Sequence, residues 1–167
     1  MGKCKRLVTL AVLFMCASFC FAKQISFQVV QHDFSASSVT EQSLVIEDEV
    51  LTSFFESGFI VTNSNAAVSD SKNQDAVLFK SGIGEAFNGF SDFFVQINLY
   101  YERTDSTTSS DADLQKIEFT IAKTNTGTTI ANRSLKSVKT GNKNLDLKKV
   151  SSNLVSEINK ALNAYKA

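Results

Sequence analysis

The stretch FFVQINLYYE, residues Phe93–Glu102, decides the fold. In an extended chain, one side of this stretch is wholly apolar and carries Phe93, Val95, Ile97, Leu99 and Tyr101. The other side carries Phe94, Gln96, Asn98 and Tyr100. Because side chains alternate across a strand, the stretch predicts a β-strand with one apolar and one half-polar face. Such a strand suits a sheet that helices cover on one face and leave open on the other.

The rest of the chain supplies further strands and helices. Alternation of apolar and polar residues predicts strands at 24–31, 59–62, 116–124 and 128–135. Apolar residues at helical spacing predict helices at 41–57, at 73–88 and from Leu147 to the end of the chain. Thr40 or Ser43 is a candidate N-cap for the first helix, and Gly58 ends it. The polar stretches 63–73, 103–113 and 138–144 predict connections.

The predicted order of elements is β-α-β-α-β-β-β-α. Crossovers between parallel strands are right-handed, which places the first two helices on one side if the sheet grows in one direction. One helical layer suffices because the strands each present one apolar face. The sequence therefore predicts an α/β fold: a two-layer sandwich with a mixed sheet of about five strands and its helices on one face.

The first residues are typical of a secretory signal peptide. A short basic segment precedes an apolar run over 7–21 and the small residue Ala22. We expect a signal peptide over 1–22, followed by a single α/β domain over 23–167. The run is short for a permanent membrane anchor, and a lipoprotein signal would need a small residue before Cys16 or Cys20. Retention and lipidation stay open as alternatives to a soluble exported protein.

Removal of the signal peptide changes the composition. All three cysteines lie in the first 20 residues, so the mature chain forms no disulfide and depends on packing. Three of the 17 basic residues also leave, which shifts the formal net charge from 0 to about −3. A mildly acidic chain is not expected to bind nucleic acid. No later stretch is apolar and long enough for a transmembrane span.

The order of elements resembles a known group of bacterial envelope domains. The resemblance rests on the export signal, the helix–strand step Glu56-Ser57-Gly58-Phe59-Ile60-Val61, the hairpin turn Asn125-Thr126-Gly127-Thr128-Thr129 and the long closing helix. The chain is similar here to the amino-terminal part of TolB, to the curli secretion protein CsgG and to the penicillin-binding-protein activator LpoB. It lacks the lipobox cysteine of CsgG and LpoB and the propeller of TolB. The resemblance implies a periplasmic or envelope-associated binding or assembly module without catalysis.

Candidates for catalysis or metal binding are weak. His32 adjoins Asp33, but no serine lies in a G-x-S-x-G elbow, so we interpret His32 as a loop residue. Asp105, Asp111 and Asp113 lack the glycine and closing glutamate of a calcium loop. Gly82-Ile83-Gly84 falls within a helix instead of after a strand, where a dinucleotide site would need it. We predict no catalytic, cofactor or metal residues, and hence no cofactor.

A partner-binding surface is the more specific hypothesis. Amide, hydroxyl and tyrosine side chains are predicted on the sheet face turned away from the helices: Gln28, Gln96, Asn98, Tyr100, Glu118 and Thr120. Tyrosine is enriched at protein interfaces. A second candidate is a basic cluster of Lys136, Lys139, Lys143, Lys148 and Lys149, which suits anionic lipid or glycan.

These observations predict an exported, non-enzymatic cell-envelope protein that binds or helps to assemble another envelope component. The partner is expected to be an envelope protein. The alternative is a small secreted hydrolase or a small-ligand-binding protein with a pocket between sheet and helices. A deep pocket that encloses His32 and an acidic residue would favour that alternative.

Overall fold

The computed structural model describes residues 22–33, 36–102, 112–136 and 143–165. The predicted signal peptide, except Ala22, lies outside these residues. So do all three cysteines, Asp105, Asp111 and most of the predicted connection at 103–113. Within the described part of the chain, no helix is long and apolar enough to cross a membrane.

Eight elements follow in the predicted order. The strands are β1 (Gln24–His32), β2 (Ile60–Val68), β3 (Phe93–Glu102), β4 (Asp113–Lys123) and β5 (Thr128–Lys136). The helices are α1 (Glu41–Glu56), α2 (Lys72–Asn88) and α3 (Lys143–Ala164). They form one five-stranded sheet in the order β2-β1-β3-β4-β5. The pairs of β1 with β2 and β3 are parallel, and the pairs of β4 with β3 and β5 are antiparallel. The predicted α/β class with a mixed five-stranded sheet is confirmed.

Two helices cover the apolar face of the sheet. Phe27, Ile97 and Phe119 are fully buried on this face and share one core with the α1 and α3 residues Phe54 and Leu154. Phe27 and Phe54 lie with ring centroids 5.8 Å apart. Helix α3 is therefore buried against these three strands.

Helix α2 lies on the other face, so the prediction that all helices share one face is wrong for this element. The Phe79 and Phe94 rings are 5.8 Å apart, and Phe94 alternates with the apolar-face residues of β3. The strand order gives the reason. The connection from β1 moves outward to β2, and the connection from β2 returns across β1 to reach β3. Two right-handed crossovers in opposite directions place their helices on opposite faces.

Strand β2 is longer than the sequence predicts. It continues through Val68, whereas the pattern predicts a polar connection from Asn63 onward. β2 lies at the edge of the sheet, and all nine of its residues are exposed or half-buried. An edge strand needs no continuous apolar face, so its composition hides its extent.

The start of α1 is joined to the sheet through Gln31, which is fully buried. Thr40 is the N-cap, and its hydroxyl accepts from the Ser43 amide. Gln31 Oε1 accepts from the Thr40 amide at 2.8 Å and from the Ser43 hydroxyl at 2.7 Å. Ser43 Oγ also lies 2.9 Å from the Tyr101 hydroxyl. Burial raises the pKa of Tyr101 to about 12. At the other end of α1, Gly58 has φ 83°, as its predicted role as a helix stop requires.

Candidate functional site

The six residues predicted to bind a partner share the sheet face opposite to α1 and α3, which we call the polar face. Strand register aligns Gln28 with Gln96 and Gln96 with Thr120. It also aligns Asn98 with Glu118, and Tyr100 follows two residues after Asn98. The prediction that this whole face is turned away from the helices is wrong, because α2 covers part of it.

Helix α2 buries the inner half of the polar face. Gln28, Gln96 and Asn98 are 8%, 3% and 7% exposed. Gln96 Nε2 donates to the Asp75 carbonyl of α2 at 3.1 Å, and Gln28 Nε2 donates to the Asn65 carbonyl of β2 at 3.0 Å. The amide nitrogen of each glutamine is thus bonded inside the fold. These two glutamines therefore hold the structure together and are not accessible to a partner.

A different group of side chains stays accessible, and we call it the open strip. Tyr100, Glu118 and Thr120 are half-buried. On the polar face the strip also includes the half-buried Lys116 and, one strand further, the exposed Asn132 and Ser134. The open strip therefore consists of Tyr100, Lys116, Glu118, Thr120, Asn132 and Ser134.

Three side chains at the Tyr100 end of the open strip form an ordered polar network. The Tyr100 hydroxyl donates to Glu118 Oε2 at 3.0 Å, and Lys116 Nζ lies 3.0 Å from Glu118 Oε1. The same ammonium group lies 3.9 Å from the centroid of the Tyr100 ring, in the range of a cation–π contact. Together these contacts fix three neighbouring side chains in one arrangement.

His32 extends the network beneath α2. Its ring stacks on Tyr100 with centroids 4.4 Å apart and an angle of 11°. Its Nε2 atom lies 3.4 Å from Asp75 Oδ1. The neighbouring Asp33 acts on the other face, where its charge raises the pKa of Tyr101. His32 is the last residue of β1, so the interpretation as a loop residue is wrong.

Burial and neighbouring charges set the protonation of this network. Burial lowers the pKa of His32, although Asp75 raises it in part. The pKa of Tyr100 is raised by burial and by its bond to Glu118. Burial acts to raise the pKa of Glu118, but the hydrogen bonds from Lys116 and Tyr100 outweigh it, so the pKa is lowered. Near neutral pH the network thus contains a neutral histidine and a carboxylate held by two donors.

The network lies where the two crossovers diverge. His32 and Tyr100 are register partners near the carboxyl ends of the parallel strands β1 and β3. In open α/β sheets, ligands bind outside the carboxyl ends of strands at such a switch point. Sequence reasoning did not find Asp75 or Lys116 as members of this site. The helical period and the strand alternation mark their faces, but only the strand order brings the two residues together.

A cavity of about 340 Å³ lies at the opposite end of β3 from His32, next to Ser91 and Asp92. His32 is only 8% exposed. Among the side chains that the structure places, no group of three or more His, Cys, Asp or Glu could hold a metal ion.

The basic cluster is only partly placed. Lys148 and Lys149 are exposed on α3. The side chains of Lys136, Lys139 and Lys143 lie outside the described residues. The cluster therefore stays a prediction from sequence.

Comparisons with known proteins identify a family and a fold. A family model described as an uncharacterised protein matches residues 24–163. No curated protein matches the chain. The hypothetical protein CT253 from Chlamydia trachomatis is 11% identical with a TM-score of 0.51, and the match covers 86% of this chain and 97% of that one. At this identity the similarity shows a shared fold.

Two proteins named in other matches are TolB and a lipoprotein. TolB from Acinetobacter baumannii is 13% identical with a TM-score of 0.49, and the match covers 89% of this chain and 30% of that one. Lipoprotein GNA1162 from Neisseria meningitidis is 10% identical with a TM-score of 0.41, and the match covers 81% and 96%. TolB is also one of the proteins that the order of elements resembles.

Proposed function

We propose that this chain, which belongs to the uncharacterised family whose model matches residues 24–163, is an exported, non-enzymatic protein of the cell envelope. It binds another envelope protein through the open strip. The observation that carries the proposal is the division of the polar face, in which α2 buries one half and the other half presents an ordered set of polar side chains.

The chemistry of the open strip suits a protein partner. Tyr100 offers apolar ring area together with a hydroxyl, as tyrosines at interfaces do. Its contacts with Glu118 and Lys116 fix these side chains before binding. Less side-chain entropy is then lost when a partner docks.

The open strip continues onto the edge strand β5, which offers a second way to bind a partner. β5 is the last strand in the sheet order, so one of its sides carries backbone groups that no strand of this sheet pairs. Such an edge accepts an extended segment of another chain. The exposed Asn132 and Ser134 belong to this strand. A partner that pairs with β5 would therefore also contact the strip.

Export and the envelope location are supported by the sequence. The basic and apolar segments before Ala22 are typical of a signal peptide. The order of elements resembles envelope binding and assembly domains. The export signal is part of this resemblance, and the order of elements over the rest of the chain adds to it.

Site-specific photo-crosslinking in the native host tests the docking surface. A photoreactive residue at Asn132 lies on the open strip, and one at the exposed Asn163 of α3 is the control. We expect Asn132 to form a discrete adduct with an envelope protein, identified by mass spectrometry, and Asn163 to form none with that protein. Thr120→Arg combined with Ser134→Arg should abolish the adduct.

The choice of these positions follows from the structure. Substitutions at Gln96 or Asn98 would disturb the packing of α2, because both residues are buried beneath it. The proposal is wrong if Asn132 forms no adduct in cells that export the folded protein. An adduct that survives the double substitution would also exclude the open strip.

A further inference from the structure

Large apolar side chains are exposed mainly at one end of the molecule. Among the described residues, those that are exposed are Leu44, Phe55, Ile60, Val77, Phe87 and Phe90. Four of them belong to the last turns of α1 and α2 and to the residues that follow these helices. We call these four, Phe55, Ile60, Phe87 and Phe90, the phenylalanine end. Single exposed apolar residues are common, but a group of them at one place marks a contact surface.

Hydrogen bonds place the phenylalanine end around the start of β1. The Ile60 amide donates to the Lys23 carbonyl at 3.2 Å. The side-chain amide of Gln24 donates to the carbonyl of Gly89, the residue before Phe90, at 2.9 Å. The last turn of α1 leads directly into β2 and therefore ends at the same place. Three separate segments thus bring apolar side chains to one end of the sheet.

Folding leaves the phenylalanine rings in water. Phe55 is 74% exposed and Phe90 is 86% exposed. The Ser91 amide donates to the Ala86 carbonyl at 2.9 Å, which is an ordinary closure of a helix, and the Phe90 side chain stays outside it. Phe87 is 55% exposed and lines the same cavity as Phe90. Contact with an apolar phase would remove these rings from water and would therefore be favourable.

The chain enters the domain at this same end. Residues 7–21 form an apolar run in the sequence and lie outside the described residues. The run ends at Phe21, and Lys23 is already bonded to Ile60. Two residues span at most about 7 Å. Whenever this run occupies a bilayer, the phenylalanine end therefore faces that bilayer at close range.

We infer that the phenylalanine end docks on a lipid bilayer, with Phe55, Phe87 and Phe90 inserted at the boundary between headgroups and acyl chains. Surfaces of this kind enter the bilayer by about 5–10 Å. The inference rests on the proposed export, which brings the domain to a membrane surface. The open strip lies on a face of the sheet and not at this end, so a docked domain still presents it to a protein partner.

The charges at this end do not favour anionic lipid. Lys23 and Lys123 are offset by Glu56 and Asp92. The described members of the basic cluster belong to the first half of α3, whereas the last turn of α3 reaches Lys23. The basic cluster therefore lies away from the phenylalanine end. Insertion of apolar side chains should govern binding, and binding should persist at high salt.

Tryptophan fluorescence in the presence of vesicles tests the inference. The chain contains no tryptophan, so Phe90→Trp introduces a single reporter at the phenylalanine end. The matched control is Val77→Trp, because Val77 is 68% exposed on α2 and lies about 15 Å along the helix from Phe87. The vesicles contain phosphatidylethanolamine and phosphatidylglycerol. We expect a saturable blue shift, and quenching by lipids with brominated acyl chains, in Phe90→Trp and neither in Val77→Trp.

Further substitutions test whether the neighbouring rings hold the domain on the bilayer. In the Phe90→Trp background, Phe55→Gln combined with Phe87→Gln should raise the lipid concentration at half-maximal quenching by about tenfold or more. Leu44→Gln removes an exposed apolar side chain near the start of α1 and should leave that concentration unchanged. Replacement of phosphatidylglycerol by phosphatidylcholine should also change it little.

Three fluorescence results would overturn the inference. They are the absence of a blue shift and quenching in Phe90→Trp, equal quenching in Val77→Trp, and an unchanged lipid concentration after the double substitution in a folded protein. Self-association through the phenylalanine end without vesicle binding would assign this surface to a second copy and would also overturn the inference. The purified protein tests vesicle binding wherever the cell places it, whereas fractionation of the native host tests the proposed export separately.

Discussion

The two faces of the sheet are formed by the same strands and differ in how helices cover them. On the apolar face, α1 and α3 pack large side chains such as Phe54 and Leu154 against β1, β3 and β4. On the polar face, α2 contributes only Gly82 and Ala86 as buried residues. There the sheet meets the helix through amide hydrogen bonds and the Phe79–Phe94 contact.

The difference indicates a division between the two faces, one for stability and one for contact with a partner. The apolar face removes most of the nonpolar surface from water and therefore supplies most of the stability. The polar face is covered by one helix over part of its width, so it retains accessible tyrosine, charged and amide side chains. If this division holds, substitutions on the two faces should affect different measurements.

The largest effect is expected on the apolar face. Leu154 is fully buried at the centre of α3, and Leu154→Ala should lower the free energy of unfolding by about 2–5 kcal/mol. Ser134→Ala on the open strip is the control and should stay within about 0.5 kcal/mol. Urea denaturation measures both. Equal losses in the two variants would contradict the proposed division.

A smaller effect tests how α2 approaches the polar face. A Cβ at Gly82 would overlap the ring of Phe94, whereas a Cβ at Gly84 meets nothing within 4 Å. Gly82→Ala should therefore destabilise the protein by about 1–3 kcal/mol through overpacking. Gly84→Ala should stabilise it by up to about 1 kcal/mol, because alanine favours the helix.

The opposite signs of this pair are the informative result. Both substitutions are chemically identical and lie two residues apart, so helix propensity alone predicts the same gain for each. Thermal unfolding at fixed pH measures the difference. If both variants were stabilised, α2 would not approach Phe94 as closely as the structure shows.

The sequence predicts the apolar face well. Alternation in 93–102 and 116–124 and the helical period of 41–57 each depend on burial of one side, which leaves a direct pattern of apolar residues. Leu154 and Ile158 continue the helical period that begins at Leu147, and both are fully buried. For these elements, the periodicity of apolar residues in the sequence directly predicts which side chains are buried.

The sequence predicts less of the polar face, because long-range strand order decides it. Gln96 suits a solvated surface as well as a bond to the Asp75 carbonyl, and composition does not distinguish the two. The position of β2 reverses the direction of the second crossover and moves α2 to this face. Consequently, neither the contact between His32 and Asp75 nor the burial of Gln28 and Gln96 follows from local pattern.

The smallest expected effect is the pH dependence of the free energy of unfolding that His32 causes. Burial lowers the pKa of His32 below its ordinary value of 6.5, and the facing carboxylates of Asp75 and Glu118 offset only part of this shift. The folded state therefore binds a proton at His32 less readily than the unfolded state does. Its contribution to stability is present above pH 6.5 and is lost as the pH falls below that value.

His32→Gln removes this titration and keeps a polar side chain beneath α2. We expect the free energy of unfolding of the natural protein to fall from pH 7 to pH 5, and the fall to be smaller in the variant. Stopping at pH 5 keeps Glu118 ionised, since its pKa lies below the ordinary value of 4.5. Lys116 lowers the pKa of His32, so Lys116→Met should reduce the pH dependence as well. The prediction is contradicted if the free energy of unfolding changes with pH equally in the natural protein and in His32→Gln. His32 would then bind a proton equally well in the folded and unfolded states, and its burial beneath α2 would not control its charge.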